Sequence, residues 1–139
     1  MRTKLVPPFQ QPVGNQSYGL FIGNGDQDNY IKLVRVAGGL QLAWEFNGEW
    51  GSSPVYPLAQ SFNALDLILM INPISGQVEA AYALDDGPIQ SLTSSGLQVT
   101  AQGLVKAVLQ SSQAALAVGM IGTKAGGQDY PVTYDFFEV

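Results

Sequence analysis

Over most of the chain, apolar and polar side chains alternate with a period of two, the mark of strands with one covered face. In Ser17 to Gly23, the side chains of Tyr18, Leu20 and Ile22 share a face; Asn24-Gly25-Asp26 then turns, with Gly25 free to take a positive φ. Asn29 to Val36 sets Ile31 and Leu33 against Tyr30, Lys32, Val34 and Val36, so apolar groups lie on both faces and this strand is expected to be covered on each. Gly38-Gly39 reads as a tight turn into Leu40 to Phe46, where Leu40, Leu42, Trp44 and Phe46 point one way and Gln41, Ala43 and Glu45 the other. Asn47-Gly48 is the strongest hairpin signal; a type I′ turn there pairs Phe46 with Glu49 and Glu45 with Trp50. Pro54 and Pro57 mark a loop or an edge. Leu65 to Ile71 and Gln77 to Ala83 form another hairpin around Asn72-Pro73-Ile74-Ser75-Gly76, with Leu65, Leu67, Leu69 and Ile71 on one face and Val78, Ala80 and Tyr82 aimed at a core. Asp85-Asp86-Gly87-Pro88 is a turn, and strands resume at Leu116 to Gly122 and Val132 to Val139, joined through Ala125-Gly126-Gly127.

One segment changes period. Ala101, Leu104, Val105, Val108 and Leu109 follow helical spacing and predict a short amphipathic helix at 101–110, with Thr100 as N-cap, serving as a lid on an open end of the sandwich. About seven to nine strands with hairpin turns and one short helix make an all-β, antiparallel two-sheet sandwich or barrel. At 139 residues, without internal repeat or linker, the chain is expected to be a single domain over 1–139, with 1–16 as an N-terminal segment or strand. The start, Met1-Arg2-Thr3-Lys4-Leu5-Val6, carries two cations but no long apolar run before Pro7 and Pro8, so it does not read as a signal peptide.

Composition narrows the chemistry. The chain has no cysteine and no histidine, which excludes disulfides, thiolate metal sites, Cys nucleophiles and Ser–His–Asp machinery. Only 12% of residues are charged, which excludes a charge-rich disordered tail. Six Lys+Arg against eleven Asp+Glu give a net charge of −5, which argues against nucleic-acid and anionic-lipid partners. No apolar run approaches the ~18 residues of a membrane span.

Three stretches resemble a known family. Ser17-Tyr18-Gly19-Leu20-Phe21-Ile22-Gly23 with Asp26-Gln27-Asp28-Asn29-Tyr30-Ile31-Lys32-Leu33, the hairpin Leu67 through Tyr82, and Ala115 to Thr123 with Tyr134-Asp135-Phe136-Phe137-Glu138-Val139 are similar to segments of concanavalin A-like domains, in particular bacterial laminin-G-like modules. The resemblance covers most of 17–139. It implies a two-sheet jelly roll whose usual role is glycan binding or adhesion, in a larger exported protein at the cell surface or outside the cell. Such domains commonly carry several strands before the equivalent of Ser17, whereas only Leu5 to Gln16 precede it here. Either the module is a shortened version or its front part was removed; removal would leave a sheet edge or core surface open to another chain.

The candidate site follows from these expectations. Glu45 and Trp50, cross-strand neighbours, place an aromatic plate beside a carboxylate, a combination that stacks on sugar C–H groups and accepts hydroxyl hydrogen bonds. Asn47 at the hairpin tip and Tyr56 complete the proposed ligand-binding set; the competing reading is a rim tryptophan and a solvated glutamate. Trp44, on the face with Leu42 and Phe46, reads as core. Asp26, Asp28 and Asn29 are candidate oxygen ligands for Ca²⁺, against the simpler reading of turn side chains bonding their own backbone. The EF-hand pattern fails, with Ile31 at its sixth position and Ala37 at its twelfth. Lys32 and Arg35 fall on opposite faces of one strand and form no basic patch. The glucanase patterns Glu-x-Asp-x-Glu and Glu-x-Asp-x-x-Glu of some jelly-roll relatives are absent, and the turn sends Glu45 and Glu49 to opposite faces. The expected function is therefore non-catalytic carbohydrate binding or cell-surface adhesion. The alternatives are a self-associating structural sandwich, forming a homodimer without a small ligand, and an atypical glycoside hydrolase.

Overall fold

The computed structural model describes residues 1–58, 61–111, 113 and 115–139. Its strands are β1 Arg2–Val6, β2 Ser17–Gly23, β3 Tyr30–Val36, β4 Gly39–Phe46, β5 Glu49–Ser52, β6 Tyr56–Pro57, β7 Leu65–Ile71, β8 Gln77–Leu84, β9 Gln90–Ser91, β10 Gln98–Thr100, β11 Ala117–Thr123 and β12 Thr133–Glu138, with one α-helix among the described residues, α1 Gly103–Gln110. One sheet runs β10-β8-β7-β1-β12, with β9 beside β8; the other runs β11-β2-β3-β4-β5, with β6 beside β4. Neighbouring strands pair antiparallel throughout. The chain is thus an all-β, antiparallel two-sheet sandwich with one short helix.

The alternating faces meet between the sheets. Tyr18, Leu20 and Ile22 of β2, Ile31 and Leu33 of β3, and Leu40 and Leu42 of β4 are buried, as are Leu65, Leu67 and Leu69 of β7 and Val78 and Ala80 of β8; all belong to one hydrophobic cluster. The strands exceed the expected seven to nine because β6, β9 and β10 have two or three residues each, too short for a period to be counted.

The N-terminal segment is more than an appendage. β1 lies between β7 and β12, with both of its sides hydrogen-bonded. Thr3 and Leu5 are fully buried. Arg2 and Lys4 alternate outward, where the Arg2 guanidinium donates to the Asp66 carboxylate and the Lys4 ammonium to Asp86 at 2.5 Å.

Two local expectations need correction. The hairpin between β3 and β4 turns at Ala37-Gly38 instead of Gly38-Gly39: Gly38 has φ +88°, and Gly39 already pairs with Val36. Gly39 is needed for closeness, since a Cβ there would collide with the Tyr56 carbonyl oxygen. The helix begins at Gly103, with Gln102 at the N-cap and no side-chain cap bond, because Thr100 is held in β10 opposite Gln77. Val105 is fully buried and Leu109 packs against the core, whereas Leu104 of the expected apolar stripe is 49% exposed. The Asn47-Gly48 turn agrees with expectation: both residues have positive φ, +53° and +78°, as a type I′ turn requires, and Phe46 opposes Glu49 while Glu45 opposes Trp50.

Candidate functional site

The outward face of the second sheet is a lattice of cross-strand rows. Tyr30 of β3, Glu45 of β4 and Trp50 of β5 stand in one row; Lys32, Ala43 and Ser52 form the next; Val34 and Gln41 form the third. The middle row is small on β4 and β5, so the sheet is hollow beside the Trp50 indole. The segment Gly14 to Ser17 rises opposite and completes a groove of about 400 Å³, which Trp50, Lys32, Val34, Gln41 and Ala43 help to line. Val34 and Ala43 are buried and give it an apolar floor. Trp50 is 63% exposed, an amphipathic ring left open at the rim.

Electrostatics divide the lattice. Tyr30 stands opposite Glu45; burial first, and the Glu45 carboxylate second, push its hydroxyl up to about 12. Glu45 stands beside Trp50 in register and acts electrostatically on both Tyr30 and Lys32, but it does not line the groove. Lys32 does line it. Its ammonium lies 5.4 Å from the Tyr30 ring centroid, and loss of water lowers its pKa against an opposing pull from Glu45. Sequence reasoning set Lys32 aside because Arg35 falls on the other face. Arg35 does point inward, where it is buried, lies 4.7 Å from the Phe62 ring centroid and 5.3 Å from that of Phe9, and donates to the Tyr18 hydroxyl at 2.9 Å. The overlooked signal is that Lys32 is the only charged side chain on the outward face of β3.

Two members of the expected set lie elsewhere. The Asn47 side chain is turned to the start of α1, where a Cβ on Gly103 would meet its amide nitrogen at 3.0 Å. Its backbone N–H donates to Asn29 Oδ1 at 3.0 Å and that of Gly48 to the Asp28 carbonyl, which docks the hairpin tip on the preceding loop. Tyr56 packs against the core, its ring centroid 5.5 Å from that of Tyr82 and its hydroxyl 3.2 Å from the Tyr82 hydroxyl. Trp44 is half-buried and packed on the core side, as read from the sequence, with its indole lying over Gly51.

Asp26, Asp28 and Asn29 are joined by Asx-turn hydrogen bonds. The Asp26 carboxylate accepts from Asn24 Nδ2 at 2.7 Å, the Asp28 N–H at 3.0 Å and Asn29 Nδ2 at 3.1 Å; these donors, Asn24 foremost, hold its pKa below the usual carboxylate value. Among the described residues, no cluster of three or more acidic side chains suited to a metal comes together.

Glu49 opens with Trp44, Asn47, Gln102 and Gly103 onto a separate hollow of about 320 Å³, which Glu45 does not line. Trp50 borders both hollows. The arrangement offers a stacking ring, an ammonium and an apolar floor on one side, and a lone glutamate on the other. No family model and no curated protein matches this chain.

Proposed function

We propose that this chain is a concanavalin A-like module that binds carbohydrate through the groove beside Trp50 and does not catalyse its hydrolysis. The exposed Trp50 indole, set over an apolar floor, carries the reading: such a ring receives the C–H face of a pyranose, while Gln41 and Asn15 at the groove surround the hydroxyls. The separate settings of Glu45 and Glu49 support binding over hydrolysis, since a glycosidase needs two carboxyl groups flanking one bond. An extracellular or cell-surface setting in a larger exported protein follows from the same resemblance.

The test is affinity electrophoresis against a panel of soluble polysaccharides. At least one should retard the protein, and Trp50→Ala should weaken that retention by about 2 kcal/mol, roughly thirtyfold. Its thermal unfolding should barely move, because substitutions at exposed positions stay within about 0.5 kcal/mol. Retention unchanged in the variant would remove the site.

A second reading, self-association, is favoured by β11. This seven-residue strand, Ala117–Thr123, is uncharged and forms the edge of its sheet, and no described strand pairs with its outer side. Antiparallel pairing with a second copy would continue the sheet.

A further inference from the structure

We propose that the groove selects acidic saccharides, a uronic acid carboxylate meeting the Lys32 ammonium while the adjoining pyranose ring lies on Trp50. This rests on the carbohydrate-binding reading and adds the sign of the ligand's charge. The chain as a whole is acidic, at −5, yet Lys32 is the one charged side chain among the described residues lining this groove. Four of the other five cations are engaged, Arg2 with Asp66, Lys4 with Asp86, Lys124 with Asp129 and Arg35 inside its aromatic cage, while the fifth, Lys106, is exposed on α1 and does not line the groove. No carboxylate of the described residues forms an ion pair with Lys32. Glu45, in the neighbouring row, attracts the ammonium only from beyond ion-pair distance and does not line the groove.

The physical consequence is a half-buried ammonium, partly stripped of water and with no ion-pair partner among the described residues. A carboxylate arriving there replaces lost hydration with a charge-assisted hydrogen bond, strengthened by the apolar floor of Val34 and Ala43. Trp50 demands a ring with an apolar face within reach of the same ligand. A uronate supplies both groups in one residue; a neutral hexose supplies only the second.

The experiment measures retention by alginate, polygalacturonate and hyaluronan, each beside its methyl-esterified form, and by neutral dextran and laminarin. At least one acidic polymer should bind and its ester should bind at least about tenfold more weakly, the size expected for losing a hydrogen bond to a charged group. Lys32→Met should reproduce the loss on the acidic polymer, Lys32→Arg should retain binding, and added salt should weaken it. Thermal unfolding of both variants establishes that they fold. Equal binding of acid and ester, or binding by a folded Lys32→Met unchanged from the parent, overturns the acidic preference and leaves carbohydrate binding standing. No retention by any polymer, acidic or neutral, overturns both.

Discussion

At the scale of the residue, the groove depends on which side chains are small. Ala43 and Ser52 leave the row beside Trp50 low, and Gly51 does the same on the opposite face of β5. There the Trp44 indole lies so close that a Cβ on Gly51 would collide with it, and the ring is too rigid to bend away. Gly51→Ala should therefore displace Trp44 from the core side and destabilise the protein by about 1–3 kcal/mol, the usual penalty for overpacking. Urea unfolding measures it; an unchanged midpoint would mean that the indole yields freely. Glu45 shows the opposite dependence. Its cross-strand partner Trp50 was readable from Asn47-Gly48 alone, but its other cross-strand neighbour, Tyr30, belongs to β3. A turn at Gly38-Gly39 would put Tyr30 opposite Asn47; the observed turn at Ala37-Gly38 puts it opposite Glu45. A one-residue change in the turn thus decides whether Glu45 stands directly opposite Lys32 or opposite Tyr30, and so whether the ammonium in the groove faces a carboxylate across the strands.

At the scale of the element, periodicity succeeded where a strand is long and covered on one face. β2 and β7 match their expected limits, and β8 extends one residue beyond its limit. β1 is legible only as part of a segment or strand over 1–16, because two outward cations in five residues, with two prolines directly after them, obscure its period, while the burial of Thr3 and Leu5 comes from neighbours distant in sequence, β7 and β12. β11 poses the question of partners. Edge strands in natural sheets are usually short, charged or interrupted by proline, and β11 is none of these. If two copies pair along it, Met120, 46% exposed at its midpoint, lies near the two-fold axis, and Met120→Lys should convert a dimer to a monomer by like-charge repulsion. Sedimentation velocity reads this directly; a parent protein that is monomeric at high concentration removes the self-association reading.

At the scale of the whole molecule, tyrosines held away from water bear on its alkaline limit. Burial is the leading cause that holds the hydroxyls of Tyr18, Tyr30, Tyr82, Tyr130 and Tyr134 above their ordinary value, with Tyr30 and Tyr82 at about 12. The folded state then binds these protons more tightly than the unfolded state does. Stability is fully retained below the unfolded value near 10 and falls as the pH rises from about 10 to 12. Thermal midpoints across that interval should decline as tyrosinate absorbance grows; a flat midpoint would mean that the fold does not hold the hydroxyls neutral.

The amino-acid sequence by itself determined the class of fold, most of the strands, the hairpin at Asn47-Gly48 and the separation of Glu45 from Glu49. These are local consequences of side-chain alternation and turn geometry. Only the tertiary structure decided that β1 is an interior strand, that Tyr56 packs inward on Tyr82, and that Asn47 faces the helix. It also decided that Lys32, not Glu45, lies in the groove with Trp50. The physical reason is that a side chain's neighbours across a sheet are set by the register of two ladders at once, and each ladder is fixed by turns and packing far away in the sequence.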